Sequence, residues 1–186
     1  YNLTNAQNKV IHEILEDLRK PVAMNRLIQG DVGSGKTDVA IVTLLAAIEA
    51  GKNGVLMAPT EILATQHYLK IKGLLEPFNI QCTLLKGKMK KREKEESLAV
   101  IESSEACIII GTHSLIEQYV NLSNCGVMII DEQHRFGVMQ RIKLQDKANN
   151  PHCLFMTATP IPRSYMLTCF GDLDKSIIDE LPPGRV

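Results

Sequence analysis

The sequence lacks several features that would point to particular classes of protein. Its 21 Lys and Arg residues are balanced by 21 Asp and Glu residues, so no overall basic charge indicates a nucleic-acid partner. A local basic patch remains compatible with this balance. No apolar stretch approaches the roughly 20 residues that cross a bilayer. No signal peptide is visible either, although a chain that begins at Tyr1 rather than at methionine can be a fragment. We therefore predict a cytoplasmic protein.

Paired cysteines and repeats are also missing. The five cysteines are scattered without a C-x-x-C pair, and three of them lie in or beside apolar runs, where cysteine acts as a small hydrophobic residue. We interpret them as reduced and structural. With 186 residues, 45% of them hydrophobic, the chain is long enough for one domain with a proper core. The cysteines are Cys82, Cys107, Cys125, Cys153 and Cys169.

Helix and strand patterns alternate along the chain. The first is an amphipathic helix over Thr4–Leu18, in which Thr4 and Gln7 have the spacing of a capping box. Continuous apolar runs are typical of parallel strands covered on both faces, so we predict an α/β domain with a largely parallel central sheet and helices on both faces. The predicted strands are 26–29, 54–58, 81–85, 106–110, 127–130 and 152–156. The further predicted helices are 36–50, 61–75, 90–102, 113–118 and 138–147. Residues 172–186 are predicted to form an exit segment beyond a domain of residues 1–171.

The segment Gly30–Thr37 carries the clearest chemical signal. Its sequence GDVGSGKT matches G-x-x-x-x-G-K-[ST] between a predicted strand and a predicted helix, which is the context of a phosphate-binding loop. Glycines allow the backbone N–H groups to converge on a phosphate, and the following helix adds positive charge there. Lys36 would reach the β- and γ-phosphates, and Thr37 would bind Mg²⁺. The remaining members of the loop are Gly30, Asp31, Val32, Gly33, Ser34 and Gly35.

Acidic residues follow the strand predicted at 127–130. Asp131 and Glu132 come directly after four apolar residues, at the edge of the sheet where ligands of α/β domains bind. An aspartate there can hold Mg²⁺ through water, and the adjacent glutamate can deprotonate an attacking water. The alternative is a polar strand end or a helix cap. The phosphate-loop motif upstream favours the catalytic interpretation.

Hydroxyl groups follow other predicted strands. Thr157 and Thr159 stand where they could contact the segment 131–134 and relay the state of the γ-phosphate, although a simple helix cap is also possible.

Two further strand ends offer groups that suit the phosphates of a polynucleotide, and each is also a possible helix cap. These residues are Pro59, Thr60, Gly111 and Thr112. The basic run 86–94 is interrupted by Glu93 and followed by Glu95 and Glu96, which favours a solvated helix face over a nucleic-acid patch.

Six motifs together resemble those of superfamily 2 helicases of the DExH type, and they cover almost the whole chain in the order of that family. They are GDVGSGKT, APTEILATQH, GTHSL, DEQHRFGV, TATPIPR and DLDKSIIDELPPGR. The resemblance implies a RecA-like fold, the cofactors ATP and Mg²⁺, and catalytic roles for Lys36, Asp131 and Glu132. It also implies that Gln7 recognises adenine, with Tyr1 placed to stack on the base. Gln133 and His134, with the two threonines above, would couple nucleotide to DNA. For Gln7, the capping-box role remains an alternative.

The resemblance is strongest to helicases that remodel stalled replication forks, which implies branched or forked duplex DNA as the partner. It covers only the first motor domain of that family. A second motor domain with an arginine finger and a DNA-binding wedge domain would be needed in cis, so we expect the 186 residues alone to hydrolyse ATP hardly at all. The alternatives are a transcription–repair coupling translocase, a P-loop kinase or transporter ATPase, and a non-catalytic nucleotide-gated module.

Overall fold

The computed structural model describes residues 3–103, 105–132, 138–159 and 173–182, and for residues 138–142 it describes the backbone alone. Helices and strands alternate throughout these ranges. The helices are α1 (Asn5–Leu18), α2 (Lys36–Glu49), α3 (Glu61–Leu75), α4 (Lys91–Glu102) and α5 (Val138–Lys147), with 3₁₀ turns at Glu76–Phe78 and His113–Ile116. The strands are β1 (Asn25–Gly30), β2 (Asn53–Met57), β3 (Cys82–Leu85), β4 (Ile108–Gly111), β5 (Cys125–Ile130), β6 (His152–Thr157) and β7 (Asp174–Ile178).

The seven strands form one parallel sheet in the order β3-β4-β2-β5-β6-β1-β7. Because every pair is parallel, the carboxyl ends of all seven strands lie along one edge, which we call the carboxyl edge. β6 separates β1 from β5, with Gln29 of β1 paired with Thr157 of β6 and Ile130 of β5 paired with Phe155 of β6. The loops after β1, β5 and β6 therefore emerge next to one another.

Each face of the sheet has its own hydrophobic core. Alternation along a strand sends successive side chains to opposite faces, so Ile28 packs into one cluster and Leu27 into the other. The first cluster includes the buried faces of α1, α2 and α3. The second includes Ile101 of α4 and Leu144 of α5. The central strands are thus covered on both sides, which explains their continuous apolar runs.

The predicted α/β architecture is confirmed, and all six predicted strands form. The seventh strand, β7, was not predicted. It pairs with β1 at one border of the sheet, and its residues alternate between exposed and buried from Ser176 to Ile178. A border strand with a polar face lacks the apolar run by which the other strands were found. Asp174–Ile178 of the 172–186 segment is therefore part of the sheet, and the role of that segment as an exit towards a further domain stays a prediction.

Several local predictions are also confirmed. Thr4 caps α1, and Gln7 completes the capping box. The segment predicted as a helix at 113–118 forms a shorter 3₁₀ turn. Burial raises the pKa of Cys82 to about 12 and those of Cys107 and Cys153 to about 11, in keeping with unreactive thiols. Within the described ranges, no helix combines the length and apolar character that a membrane span requires.

Candidate nucleotide-binding site

The loop between β1 and α2 has the backbone that its glycines predict. Gly33 and Gly35 both have a φ of 85°, in the left-handed region that other residues rarely adopt. Gly35 is also the N-cap of α2, and no side chain caps this helix. The first backbone N–H groups of α2 therefore remain available at a positively polarised helix end. This is the arrangement by which helix N-termini bind phosphate.

Gln7 packs directly against this loop. Its Nε2 donates to the carbonyl oxygen of Ser34 at 2.9 Å, while its Oε1 accepts from the N–H of Thr4 at 2.8 Å. A Cβ atom built on Gly35 would lie 1.9 Å from Gln7 Nε2, so a side chain there would displace the Gln7 amide, and the φ of 85° disfavours other residues as well. Gln7 thus connects the capping box of α1 to the loop Gly30–Thr37. Its contact with adenine stays a prediction.

Lys36 is folded back over the loop. Its Nζ donates to the carbonyl oxygens of Gly30 and Asp31 at 2.7 and 2.8 Å. Burial lowers the pKa of Lys36, and the negative charges of Glu132, Asp131 and Asp31 act in the opposite direction. The direct partners of this cation are therefore neutral carbonyls, whereas the carboxylates act on it from farther away. A phosphate oxygen would be a stronger acceptor for the ammonium group.

Asp131 and Glu132 lie where β5 ends, across β6 from the loop. Asp131 is 9% exposed, and its N–H donates to the carbonyl of Met57 at 2.9 Å, which anchors it to the end of β2. Asp131 Oδ1 accepts from the N–H of Glu132 at 3.0 Å. Glu132 has a φ of 48°, a left-handed conformation that costs on the order of 1–3 kcal/mol for a residue other than glycine. Such strain is characteristic of functional sites.

His67 is a member of this site that the sequence did not predict. It lies on α3, and its Nε2 is 2.8 Å from Asp131 Oδ2. One sequence signal could have identified His67, because this residue is the last one of the motif APTEILATQH. Nothing in the linear sequence, however, shows that this ring reaches the end of β5, which lies 64 residues farther along.

The two threonines at the end of β6 bond mainly to each other. Thr157 is fully buried, its hydroxyl lies 3.1 Å from the hydroxyl of Thr159, and it accepts from the N–H of Thr159 at 3.2 Å. They stand between the phosphate loop and Asp131, as the sheet order requires. Their predicted relay to the segment 131–134 stays a prediction, because Gln133 and His134 fall outside the residues that the structure describes, as does Tyr1.

The predicted DNA-contacting residues share the carboxyl edge but differ in access. Thr60 accepts from the N–H of Leu63 at 3.3 Å as the N-cap of α3, and it is half-buried beside Pro59. Thr112 is 1% exposed, and its hydroxyl lies 3.1 Å from that of Ser114. The N–H of Thr112 donates to the carbonyl of Leu85 at 3.2 Å, and the carbonyl of Gly111 accepts from the N–H of Ala58 at 2.8 Å, so these backbone groups are also used within the fold. A contact of the Gly111–Thr112 step with DNA stays a prediction.

The basic run begins at the same edge of the sheet. The N–H of Lys88 donates to Glu61 Oε1 at 3.0 Å, which holds the loop between β3 and α4 against the first turn of α3. Farther along, Lys91 and Arg92 pair with glutamates one turn ahead on α4. The prediction of a solvated helix face is thus confirmed for α4. Lys88, in contrast, lies beside the predicted DNA-contacting residues.

The residues present suit Mg²⁺ and a nucleoside triphosphate. The glycine loop, the uncapped start of α2 and Lys36 provide groups for phosphates, and Ser34 Oγ is buried without a hydrogen-bond partner within the described residues. The described residues contain no group of three or more His, Cys, Asp and Glu that could hold a metal ion by themselves. The carboxylates of Asp131 and Glu132 at the end of β5 suit Mg²⁺, which proteins typically bind through one or two carboxylates together with substrate phosphates.

Comparisons with known proteins point to one family. The family model for DEAD/DEAH box helicases matches residues 4–167. The chain is 52% identical over 185 residues to the ATP-dependent DNA helicase RecG of Synechocystis sp., covering all of this chain and 22% of that protein. It is 50% identical over 185 residues to RecG of Bacillus subtilis, covering all of this chain and 27% of that protein. The chain thus spans about a quarter of the length of these relatives.

Solved structures agree with this assignment. A structure described as RecG bound to a three-way DNA junction superposes with a TM-score of 0.84 and 44% identity, over all of this chain and 25% of that one. The RNA-bound Mss116p structure, with a TM-score of 0.74, 20% identity and coverage of 95% of this chain and 40% of that one, supports the fold alone. The resemblance predicted from the motifs is confirmed: the chain belongs to the DEAD/DEAH box helicase family, and over its whole length it is similar to the ATP-dependent DNA helicase RecG.

Proposed function

We propose that this domain binds Mg²⁺ and ATP at the carboxyl edge and that, in the whole protein, it powers movement on branched DNA such as replication forks, in repair and recombination. The observation that carries the proposal is the placement of Lys36 just after β1 and of Asp131 and Glu132 just after β5, at the same edge of the sheet with only β6 between the two strands. The junction-bound RecG structure and the RecG relatives support branched DNA as the substrate.

The chain's own residues suggest how the site works. Lys36 and the N–H groups of the loop would hold the β- and γ-phosphates, and Thr37 and Asp131 would hold Mg²⁺, Asp131 through water. When bound, ATP would supply the phosphoryl group that is transferred to water, and Mg²⁺ would neutralise charge on its phosphates. Glu132 would orient that water and accept its proton on the side-chain carboxylate. Gln7 would contact the adenine.

The remaining predicted roles belong to the same proposal. Gln133, His134, Thr157 and Thr159 would couple the nucleotide to DNA, and the Pro59–Thr60 and Gly111–Thr112 steps would contact DNA phosphates. The low turnover expected of these 186 residues alone depends on a second motor domain that the resemblance implies, and it stays a prediction, as does a cytoplasmic location.

Unwinding of a labelled fork by the whole protein tests the proposal. We expect Glu132→Gln to lower ATP turnover by about 10²–10⁴-fold, because it removes a general base, and to abolish ATP-dependent unwinding while nucleotide still binds. Glu102→Gln, at the exposed end of α4, is the matched control and should behave as wild type. Unwinding at the normal rate by Glu132→Gln would contradict the assignment. Displacement of stalled RNA polymerase without fork unwinding would favour the transcription–repair alternative instead.

A further inference from the structure

The contact between His67 and Asp131 joins two elements that are distant in sequence. His67 lies in the middle of α3, with its side chain 11% exposed, and the Asp131 side chain is 12% exposed. Their 2.8 Å separation is that of a charge-assisted hydrogen bond. Two largely buried polar side chains therefore meet at the edge of the sheet where the nucleotide is proposed to bind.

The chemistry of the two groups determines the direction of this bond. An ionised carboxylate has no proton to donate, so His67 Nε2 carries the hydrogen and Asp131 Oδ2 accepts it. The other carboxylate oxygen, Oδ1, accepts from the N–H of Glu132 at 3.0 Å. Each oxygen thus has its own donor, which favours one orientation of the carboxylate.

That orientation is fixed from the backbone as well. The N–H of Asp131 donates to the carbonyl of Met57, so the main chain at this point cannot shift without breaking a bond to β2. Asp131 is also one of the negative charges that oppose the effect of burial on the pKa of Lys36, which places it on the side of the phosphate loop. The lone pairs of Asp131 that are not used by His67 and Glu132 are the ones left for a metal-bound water.

We propose that His67 is a positioning residue that holds the Asp131 carboxylate in the orientation required for Mg²⁺. The inference rests on the proposed function, since it assigns a role to His67 within the same site. His67 contacts the carboxylate and acts through it. Hydrogen-bond partners of metal-binding groups typically change metal affinity or activity by about 10–100-fold when they are removed.

Two substitutions in the whole protein separate this role from simple packing. His67→Leu retains apolar volume and removes the donor, whereas His67→Gln retains a nitrogen donor at a similar distance from the backbone. We expect His67→Leu to raise the Mg²⁺ concentration for half-maximal ATP turnover by about 10–100-fold. Binding of a non-hydrolysable ATP analogue in EDTA should stay at the wild-type level. For His67→Gln, the Mg²⁺ concentration for half-maximal ATP turnover should return most of the way to the wild-type value.

His12→Leu is the matched control, because His12 is exposed on α1 and its pair with Glu16, at 3.5 Å, lies on the helix surface. Unchanged Mg²⁺ dependence in His67→Leu would overturn the inference. So would an equal loss of analogue binding with and without Mg²⁺, or a His67→Gln protein no better than His67→Leu. If His67→Leu unfolds at the assay temperature, His67→Asn replaces it. The Asn side chain is too short for its nitrogen to reach Asp131, so the same result is expected.

The same measurements distinguish this inference from the proposed function. A wild-type protein with no Mg²⁺-dependent ATP turnover would contradict the proposed function. Normal wild-type turnover combined with normal Mg²⁺ dependence in His67→Leu would contradict the role of His67 alone.

Discussion

Each end of the sheet contains a cation, which is buried at the amino end and half-buried at the carboxyl end, and the partners of the two cations differ. Near the amino end of β1, Arg26 contacts Asp17 at 2.7 Å and Glu13 at 3.4 Å, and it donates to the hydroxyl of Ser176 at 2.8 Å. At the carboxyl end, the acceptors of Lys36 among the described residues are neutral carbonyls. A cation surrounded by carboxylates is neutralised and structural. A cation held by carbonyls retains an affinity for an anionic ligand.

The Arg26 network also explains how β7 joins the sheet. Arg26 lies on β1, Asp17 and Glu13 on α1, and Ser176 on β7. One guanidinium group therefore fastens three elements together at the end of the domain opposite the nucleotide site. The difference between the ends suggests that substitutions at Arg26 act on stability and substitutions at Lys36 act on ligand affinity.

Among the changes that test this difference between the two ends, Arg26→Met is expected to have the largest effect, on unfolding free energy. The change leaves Asp17 and Glu13 without their buried partner, and breaking such a pair typically costs about 3–5 kcal/mol of unfolding free energy. Urea denaturation measures the loss, and nucleotide affinity of the folded protein should be unchanged. Arg92→Met is the control, because its pair with Glu96 is on the solvent-exposed face of α4, where such pairs contribute about 0–1 kcal/mol. Equal losses in both variants would show that the Arg26 network is not structural.

A smaller effect, on binding rather than stability, is expected from Lys36→Ala. It removes a charge-assisted contact worth about 1.5–3 kcal/mol, which corresponds to about a tenfold or greater loss of ATP affinity. Titration calorimetry measures the affinity, and the urea midpoint should change less than in Arg26→Met, because the half-buried Lys36 donates to two carbonyls and its loss leaves no buried carboxylate without a cation. Lys91→Ala, on the surface of α4, serves as the control. Wild-type affinity in Lys36→Ala would contradict the phosphate-binding role.

The smallest effect on unfolding free energy is expected when acid pH protonates Asp17, near the amino end of β1. Burial acts to raise the pKa of Asp17, but hydrogen bonds from Lys20 and Arg26 outweigh it, and the pKa is lowered overall. A carboxyl group with a lowered pKa in the folded state stabilises the protein above its unfolded pKa of about 3.9. This contribution is lost as the pH falls through the folded value.

Unfolding free energy measured from pH 6 to pH 2 tests this expectation. The wild-type curve should fall more steeply below about pH 4 than the curve of Asp17→Asn, which cannot titrate at this position. Parallel curves for the two proteins would show that Asp17 has the same proton affinity in the folded and unfolded states.

The sequence predicted the elements whose signals are local. Apolar runs marked six strands, Thr4 and Gln7 marked the start of α1, and GDVGSGKT marked the phosphate loop. β7 escaped prediction because a border strand with one polar face has no apolar run. His67 escaped it because its helix pattern is explained by Ala64 and Ile71, which face the core, and its partner is contributed by a strand 64 residues away.

The amino-acid sequence by itself determined that strands and helices alternate and which chemical groups are at hand: glycines and a lysine in one loop, and two carboxylates directly after one strand. These properties follow from residue type and short-range spacing. Only the tertiary structure decided which of those groups meet, that β6 lies between the phosphate loop and Asp131, and that Arg26 and Lys36 have opposite surroundings. The order of strands in a sheet and the partners of buried charges depend on contacts between distant segments, and no local pattern encodes them.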